Sequence, residues 1–409
     1  MEFDLPLRSA TVLFQTRYHD VKQNTMYTTF YKLFRAPRNR HLKHKTWIAH
    51  TIWNYFLGWQ RTRYSLGLPY MSYSEMSREF TLLRKSHPEM FAHWRALDSW
   101  AARQILKRLD EGYQRFFTKI AKRPPKFRSF RKPYSFTMCP SGYKFETPIA
   151  GDKGFGIYGD KVIIMKKTYR FNLSRPIFGN IKTVTIKEDS LGDFYMSVVT
   201  DHVQSHLKPI TGNAAGFDMG IKTMLTCSNG NQHESPHFYT ESINNVRIAN
   251  RKLSRKRRGS NNREKARQHY ARMHRKIKRQ REDHHWKLAL ELVRRFDVLF
   301  FETLNLDGMK RLWGRKVSDI GFYAFLEKLK WQAKKRGKRV ECIDQWHPTT
   351  CVCHVCDSRV SLALRDRTWT CSHCKTHHDR DINAAINILK VGASTFGVEN
   401  VRLAIASCS

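Results

Sequence analysis

Residues 346–356 read WHPTTCVCHVC, and residues 368–389 read TWTCSHCKTHHDRDINAAINIL. Two Cys-x-x-Cys pairs, Cys353/Cys356 and Cys371/Cys374, are separated by fourteen residues and run almost directly into Asp381 and a helix of small residues. Each pair predicts a knuckle whose two thiolates point at one centre, and two knuckles supply the tetrahedral sulfur shell of a structural Zn²⁺. Four thiolates leave no open coordination position, so this zinc is expected to be structural. His354, His373, His377 and His378 are near enough to replace a ligand, but the cysteine set is already complete. Cys351 is read as a bystander. The stretch predicts a zinc ribbon inserted between a sheet strand and the helix that Asp381 opens.

Two carboxylates upstream belong with Asp381. Asp218 lies in the apolar run AAGFDMGIKTMLTC, and Glu302 ends the run VLFFE at 298–302. Alone, a carboxylate at a strand end is usually solvated, and an Asp at a helix start is usually a cap. Together they abut three elements that otherwise read as core, where an uncompensated carboxylate is costly. A shared divalent cation would compensate them, and an all-oxygen ligand set selects Mg²⁺ or Mn²⁺. A pair of such ions can activate water and stabilise a leaving oxygen in phosphodiester hydrolysis. Gly216 and Gly220 flank Asp218 and are read as leaving room for a nucleic-acid backbone. Ala384 and Ala385 are read as letting the last helix approach the sheet.

Composition points the same way. The chain has 409 residues, 41% of them hydrophobic and 12% aromatic, which is globular composition and enough for two or three cores. Its 74 Lys and Arg against 35 Asp and Glu leave a net charge of +39. Such an excess repels itself unless a polyanion binds, and nucleic acid is the leading candidate. An anionic membrane surface is the other. No apolar run of about 18 residues and no signal-peptide core marks the chain as spanning or secreted. Nine cysteines in such a chain suggest metal ligands and buried thiols, not disulfides.

In chain order, residues 1–10 read as an arm. Residues 11–36 are rich in Thr, Tyr, Phe and Val and predict two strands. Residues 41–120 predict three or four helices. Ser72 and Glu75 mark one helix start, and Trp100, Ile105, Leu106, Leu109, Tyr113 and Phe117 form an apolar stripe on another. PPKFRSFRKPYSF at 124–136 interleaves cations with rings, which suits a phosphate backbone and stacked bases and equally suits a basic loop leading into a strand. Residues 136–200 alternate as strands, which are expected to pair with 11–36 into one barrel, and 203–213 form a candidate linker. Close to half of residues 247–281 are Lys or Arg with few acids, predicting a basic two-helix hairpin that turns near Gly259 and contacts nucleic acid. Its apolar seam is thin: Val246, Ile248, Leu253, Tyr270, Met273 and Ile277. A helix over 318–337 stopped by Gly337, and a strand over 338–345, complete the reading.

The order Gly-x-Asp-x-Gly-Ile-Lys, basic hairpin, apolar strand ending in Glu, paired Cys-x-x-Cys and Asp-x-Asn-Ala-Ala-x-Asn-Ile resembles the TnpB family. These are transposon-encoded RNA-guided nucleases related to miniature type V CRISPR effectors. FYKLFRAPRNRHLKHKTWIAHTIWNYFLGWQ and PPKFRSFRKPYSF are similar to N-terminal segments of that family, while the arm and the segment before GFDMG carry few of its signatures. The resemblance implies an α+β multidomain fold: a wedge-like β-barrel (1–40 and 121–205) interrupted by a helical recognition domain (41–120). An RNase H-like, RuvC-type α/β nuclease domain follows (206–346 and 378–395), with the basic hairpin at 242–297, a zinc ribbon at 347–377 and a C-terminal tail at 396–409. It implies that Asp218, Glu302 and Asp381 form a Mg²⁺-binding triad, with Asp379 adjacent to it, and that Arg367 lies beside the scissile strand. It further implies a guide RNA, double-stranded target DNA with its displaced strand, one or two chains per guide, and a prokaryotic cytoplasmic location at the nucleoid. Two other functions fit the same motifs: a guided DNA-binding protein that does not cleave, and a guide-independent RuvC-like resolvase or transposase.

Overall fold

Short, continuous apolar runs in the second half of the chain set the architecture there. The computed structural model describes residues 27–34, 39–129, 134–138, 155–201, 211–363, 366–398 and 402–405. The strand expected before residue 27, the arm, most of the linker candidate and part of the C-terminal tail lie outside these residues. The chain divides into two compact units, residues 1–203 and 204–409. Among the described residues, no helix is long and apolar enough to cross a membrane.

The first unit begins with β1 (Tyr27–Lys32), followed by helices α1 (Asn39–Ser65), α2 (Tyr73–Ser86), the single turn α3 (Pro88–Phe91), a 3₁₀ turn and α4 (Ser99–Phe117). Strands β2 (Ser135–Met138), β3 (Phe155–Tyr158), β4 (Lys161–Ile164), β5 (Lys167–Arg170), β6 (Ile181–Glu188) and β7 (Phe194–Thr200) follow. Ser72 and Glu75 cap α2 reciprocally, as their spacing predicts. On α4, Ile105, Leu106, Leu109 and Tyr113 are buried, but Phe117 at the C-terminal end of the stripe is half exposed and Trp100 only partly covered. The helices do not make a core of their own. Phe56, Trp94 and Leu106 share one apolar cluster with Phe136, Val184, Ile186, Met196 and Val198 of the strands.

Where a single barrel is expected, the described residues form two sheets. A four-stranded antiparallel sheet, in the order β1-β7-β6-β2, stands apart from a three-stranded meander, β3-β4-β5. They meet at one corner, where Leu33 bridges Phe171 and the Phe34 N–H donates to the Arg170 carbonyl (2.9 Å). Among the described residues, strand hydrogen bonding passes between the sheets only at this corner, and no closed ring of strands forms.

The second unit opens with β8 (Asn213–Asp218), β9 (Thr223–Cys227) and β10 (Gln232–Glu234). The basic hairpin α5 (Phe238–Ser254) and α6 (Asn261–Arg295) follows, turning at Gly259, whose φ of +87° favours glycine. Ser260 then caps α6. Val246 and Ile277 are buried in its seam, but Ile248 faces outward. Next come β11 (Val298–Glu302), α7 (Leu306–Ile320), α8 (Phe322–Lys334) and β12 (Arg339–Ile343). The single helix expected over 318–337 is split because Gly321 adopts φ +70°, a left-handed stop that ends α7 and starts α8. The chain continues through β13 (Thr368–Thr370), β14 (His377–Asp379), α9 (Arg380–Thr395) and β15 (Arg402–Leu403).

Strand order is β10-β9-β8-β11-β12, with β15 also on β8; β8, β11 and β12 run parallel. Both faces of β8 and β11 are covered, so these two strands read as continuous apolar runs. Ala215, Phe217, Leu299 and Phe301 face the cluster made with α6, α7 and α8. Ala214, Val298 and Phe300 face Ile388 and Leu389 of α9. The helix lies against backbone: a methyl group on Gly216 would overlap the Ala385 carbonyl and the Leu389 N–H, and one on Gly392 would overlap the Phe300 ring. Gly216 therefore serves helix packing, not the approach of a ligand. Ala384 and Ala385 are fully buried in that contact.

Gly216→Ala is expected to push α9 off the sheet and destabilise the second unit by about 3 kcal/mol, since overpacking against backbone cannot relax by a rotamer change. Urea unfolding followed by circular dichroism checks this; Gly397→Ala, with open space around it, provides a comparison that tests strain at positive φ without a clash.

Candidate functional site

The side-chain period of a strand is two residues, so Asp218 shares a face with Ala214 and Gly216, and Glu302 with Val298 and Phe300. That is the face α9 covers. Parallel pairing aligns Val298 with Ala214 and Phe301 with Phe217, so Asp218 and Glu302 are the next residues at the C-terminal ends of adjacent strands. Asp381 stands in the first turn of α9, beside the same strand ends. Each of the three is partly accessible. The helix cap falls to a different residue: the Asp379 carboxylate accepts from the N–H groups of Asp381 (2.9 Å) and Ile382 (3.0 Å). Capping by Asp379 leaves the Asp381 carboxylate available for other partners.

Those partners are two arginines. Arg367 Nη1 lies 3.4 Å from Asp381 Oδ2, and Arg380 Nε lies 3.4 Å from Asp381 Oδ1. Arg367 is exposed, while the Arg380 side chain is largely covered at 14% exposure. The Arg380 N–H also donates to the Arg367 carbonyl (2.8 Å), which fixes the two relative to each other. The Asp218 carboxyl is densely surrounded by protein. Burial first, and then the charges of Glu302 and Asp381, push it up to about 8, while Arg380 opposes the rise. Burial also raises Glu302. Sequence reasoning alone does not single out Arg380: its adjacency to Asp381 is the available signal, and an arginine beside an aspartate is too common to be informative.

The four cysteine sulfurs all lie within 4.8 Å of one another and could hold a metal ion. Two knuckles repeat one design. Cys353 N–H donates to Ser358 O (3.0 Å) and Asp357 N–H to Cys353 O (2.9 Å); Cys371 and Lys375 repeat this with Thr376 and Cys371 (2.9 and 3.0 Å). Asp357 and Lys375 take matching left-handed turns, φ 57° and 62°. Ser358 and Thr376 hydroxyls lie 3.3 Å from the Cys356 and Cys374 sulfurs and favour their thiolates. A tetrahedral thiolate set of this kind fits zinc. Of the four histidines, His373 and His377 are exposed. The buried His378 places Nε2 3.2 Å from Cys353 Sγ, and His354 is engaged elsewhere.

That engagement ties the ribbon to α9. The Asn383 side-chain oxygen accepts from the backbone N–H of His354 and from its Nδ1 (both 3.0 Å), and its amide donates to Val352 O (2.8 Å). Asn387 donates to Thr349 O and Val352 O (both 2.7 Å), and Lys390 donates to His354 O. Buried amide bonds of this kind each contribute about 1 kcal/mol, and leaving one unmade costs more. Strand β13 pairs with β14, aligning Thr368 with Asp379 and so setting Arg367 beside the start of α9.

Residues 197–312 match the OrfB_IS605 family, described as a probable transposase. Residues 322–388 match the Cas12f1-like TNB domain. The first match contains Asp218 and Glu302, and the second contains the four cysteines, Arg367 and Asp381. A Streptomyces pristinaespiralis protein named "Putative RNA-guided DNA endonuclease" is 29% identical over 329 residues, 79% of this chain and 78% of that protein. A protein of Escherichia coli K12, "Putative RNA-guided DNA endonuclease InsQ", is 22% identical over 359 residues, 83% of this chain and 86% of that one. The fold is similar to that in a solved Cas12f1–sgRNA–target DNA complex, with a TM-score of 0.50 and 11% identity over 90% of this chain and 99% of that one. These matches bear out the resemblance to the TnpB family.

Two outcomes follow from the site's geometry. Removing metal with a strong chelator is expected to expose residues 346–379 to limited proteolysis while residues 39–117 stay protected, with elemental analysis giving one zinc per chain beforehand. Separately, the Asp218 carboxyl titrates near its ordinary value of 3.8 when unfolded and near 8 when folded. Folding therefore favours its protonated form, and the protein free of divalent ions loses stability as pH rises from about 4 to about 8. Thermal melts should show a falling midpoint across that window for the native chain and a flatter profile for Asp218→Asn.

Proposed function

We propose that this relative of the TnpB proteins is an RNA-guided DNA endonuclease, and that Asp218, Glu302 and Asp381 hold Mg²⁺ or Mn²⁺ at its cleavage site. The observation that carries the reading is the convergence of these three carboxylates at the C-terminal ends of β8 and β11 and the first turn of α9, with Asp218 held protonated by burial and by the charges of the other two. Three close carboxylates without a cation repel one another, and hard divalent ions fit an all-oxygen set. Bound there, such ions would generate a hydroxide nucleophile from water and stabilise the leaving oxygen of a phosphodiester.

The chain's own residues do the rest. Asp218 must release its proton before it can act as a ligand, so metal binding is coupled to proton release. Arg380, largely covered, offsets part of the carboxylate charge. Arg367 is exposed and held to Asp381 only at 3.4 Å, so its guanidinium can turn to a phosphate of an entering strand, for which its planar fork is suited. The zinc ribbon, anchored through Asn383 and Asn387, sets where Arg367 stands while its own metal takes no part in the chemistry. The α5–α6 hairpin supplies a dense cationic surface for a guide RNA, binding by phosphate neutralisation and counterion release. Base pairing by the guide then selects the DNA, and the protein reads a short adjacent motif. The names of the Streptomyces and Escherichia relatives support this partner class.

Asp381→Ala is expected to abolish DNA cleavage, by at least about a thousandfold, and to leave RNA and DNA binding within about twofold of the native chain. Cleavage assays with the co-purifying RNA, run beside gel-shift titrations, check this. Retained cleavage overturns the assignment of the triad. Ribonuclease treatment of the purified protein should also stop cleavage; cleavage that survives it means a guide-independent nuclease instead.

A further inference from the structure

The first unit contains a cleft of about 750 Å³ that the nuclease reading leaves unused. It lies between α1, α4 and the segment over 121–129. Arg108, Arg115, Arg123, Lys126, Arg128 and Phe127 are among its lining residues, and among the described residues no carboxylate lines it. Its volume suits a group of nucleotide size.

The wall is preorganised. The Trp53 indole donates to the Lys126 carbonyl (3.1 Å), and the Asn54 amide both donates to Arg128 O and accepts from Arg128 N (2.9 Å each), which straps the segment onto α1. Pro125 lies so close to Gly112 of α4 that a methyl group there would stand 3.0 Å from its ring. Two guanidinium groups are fixed over one phenol: Arg108 is 5.6 Å and Arg128 4.8 Å from the Tyr134 ring centre, and Arg128 also covers Trp53 at 4.5 Å. Arg108 is further held by Ser135, to its hydroxyl (3.2 Å) and its carbonyl (3.0 Å).

The most covered cation at this wall, Arg108, is incompletely satisfied. Arg108 Nε and the Tyr134 hydroxyl are buried without a hydrogen-bond partner among the described residues. Burial works most strongly against the charge on Arg108; Tyr134 favours that charge, Arg128 opposes it, and Glu111 favours it least. Burying cations without compensation is costly, and a structural role alone would be met better by a carboxylate or an apolar pair. Five cations around one cleft instead fit a ligand that carries its own negative charge and several acceptor oxygens.

We infer that the cleft seats one phosphate of a single-stranded nucleic acid between Arg108 and Arg128, with the half-exposed Phe127 at its rim stacking the adjacent base. Guanidinium groups match phosphate oxygens bidentately, and an exposed ring adds sequence-tolerant base contact. RNA and DNA offer the same phosphate, so the chemistry admits either. The inference rests on nucleic acid being the partner, as proposed above.

The test uses the full chain with fluorescently labelled oligouridine RNA and oligothymidine DNA, titrated by anisotropy across a salt series. Arg128→Ala and Phe127→Ala change exposed side chains, so folding should survive, and thermal melts check that; Arg108→Gln probes the more covered partner. The Phe127→Ala variant should bind about tenfold more weakly. The Arg108→Gln and Arg128→Ala variants should each lower the salt slope by up to about 0.7, the value for that one single-strand phosphate no longer neutralised. An effect with RNA alone or DNA alone identifies which strand occupies the cleft. Native binding with unchanged affinity and slope in all three variants overturns the cleft assignment and leaves the functional proposal standing. No binding of either oligonucleotide by the native chain overturns both.

Discussion

The close contact between α9 and the backbone of β8 is the constraint on which the second unit depends. At Gly216 the helix backbone meets the strand with no side chain between them, and Ala384 and Ala385 complete the approach. One turn earlier on the same helix stands Asp381. Because α9 lies against the strands, its first residues are carried to their C-terminal ends, where Asp218 and Glu302 emerge. A larger residue at Gly216 would widen this layer and move a carboxylate, so packing density and site geometry are one property of the sequence.

The ribbon depends on the same helix. Asn383 and Asn387 lie one turn apart on α9 and hold the carbonyls of Thr349 and Val352 and both donors of His354. The Asp-x-Asn-Ala-Ala-x-Asn pattern thus serves three purposes at helical spacing: a carboxylate for the site, small residues against the sheet, and two amides for the ribbon. The first two are legible in the sequence. The asparagines are not, since the role of a buried amide emerges only once the carbonyls it serves are located.

Other features escape a one-dimensional reading for the same reason. Gly216 reads as an opening for a ligand, because its position beside Asp218 is visible along the chain while the helix pressing on it comes from some 170 residues away. Asp381 reads as a potential cap, whereas Asp379 accepts both amide donors. The helix over 318–337 reads as unbroken because glycine is tolerated within a helical pattern, and only its positive φ reveals the stop. In the first unit, 41–120 reads as a separate helical insert, yet its apolar stripe completes a core with the sheet.

Features encoded locally are complete in the chain itself. Cys-x-x-Cys spacing specifies two knuckles, continuous apolar runs specify strands covered on both faces, and a density of Lys and Arg with few acids specifies a strongly cationic hairpin. Each depends on residues within one or two turns of one another, so its physics needs no distant partner. Which carboxylates meet, which arginines face them, and which amides join ribbon to helix emerge only on folding. So does the gathering of five cations around one cleft that no carboxylate lines among the described residues. These are relations between residues distant in the chain, fixed by strand pairing and by the depth to which one helix can sink onto a sheet.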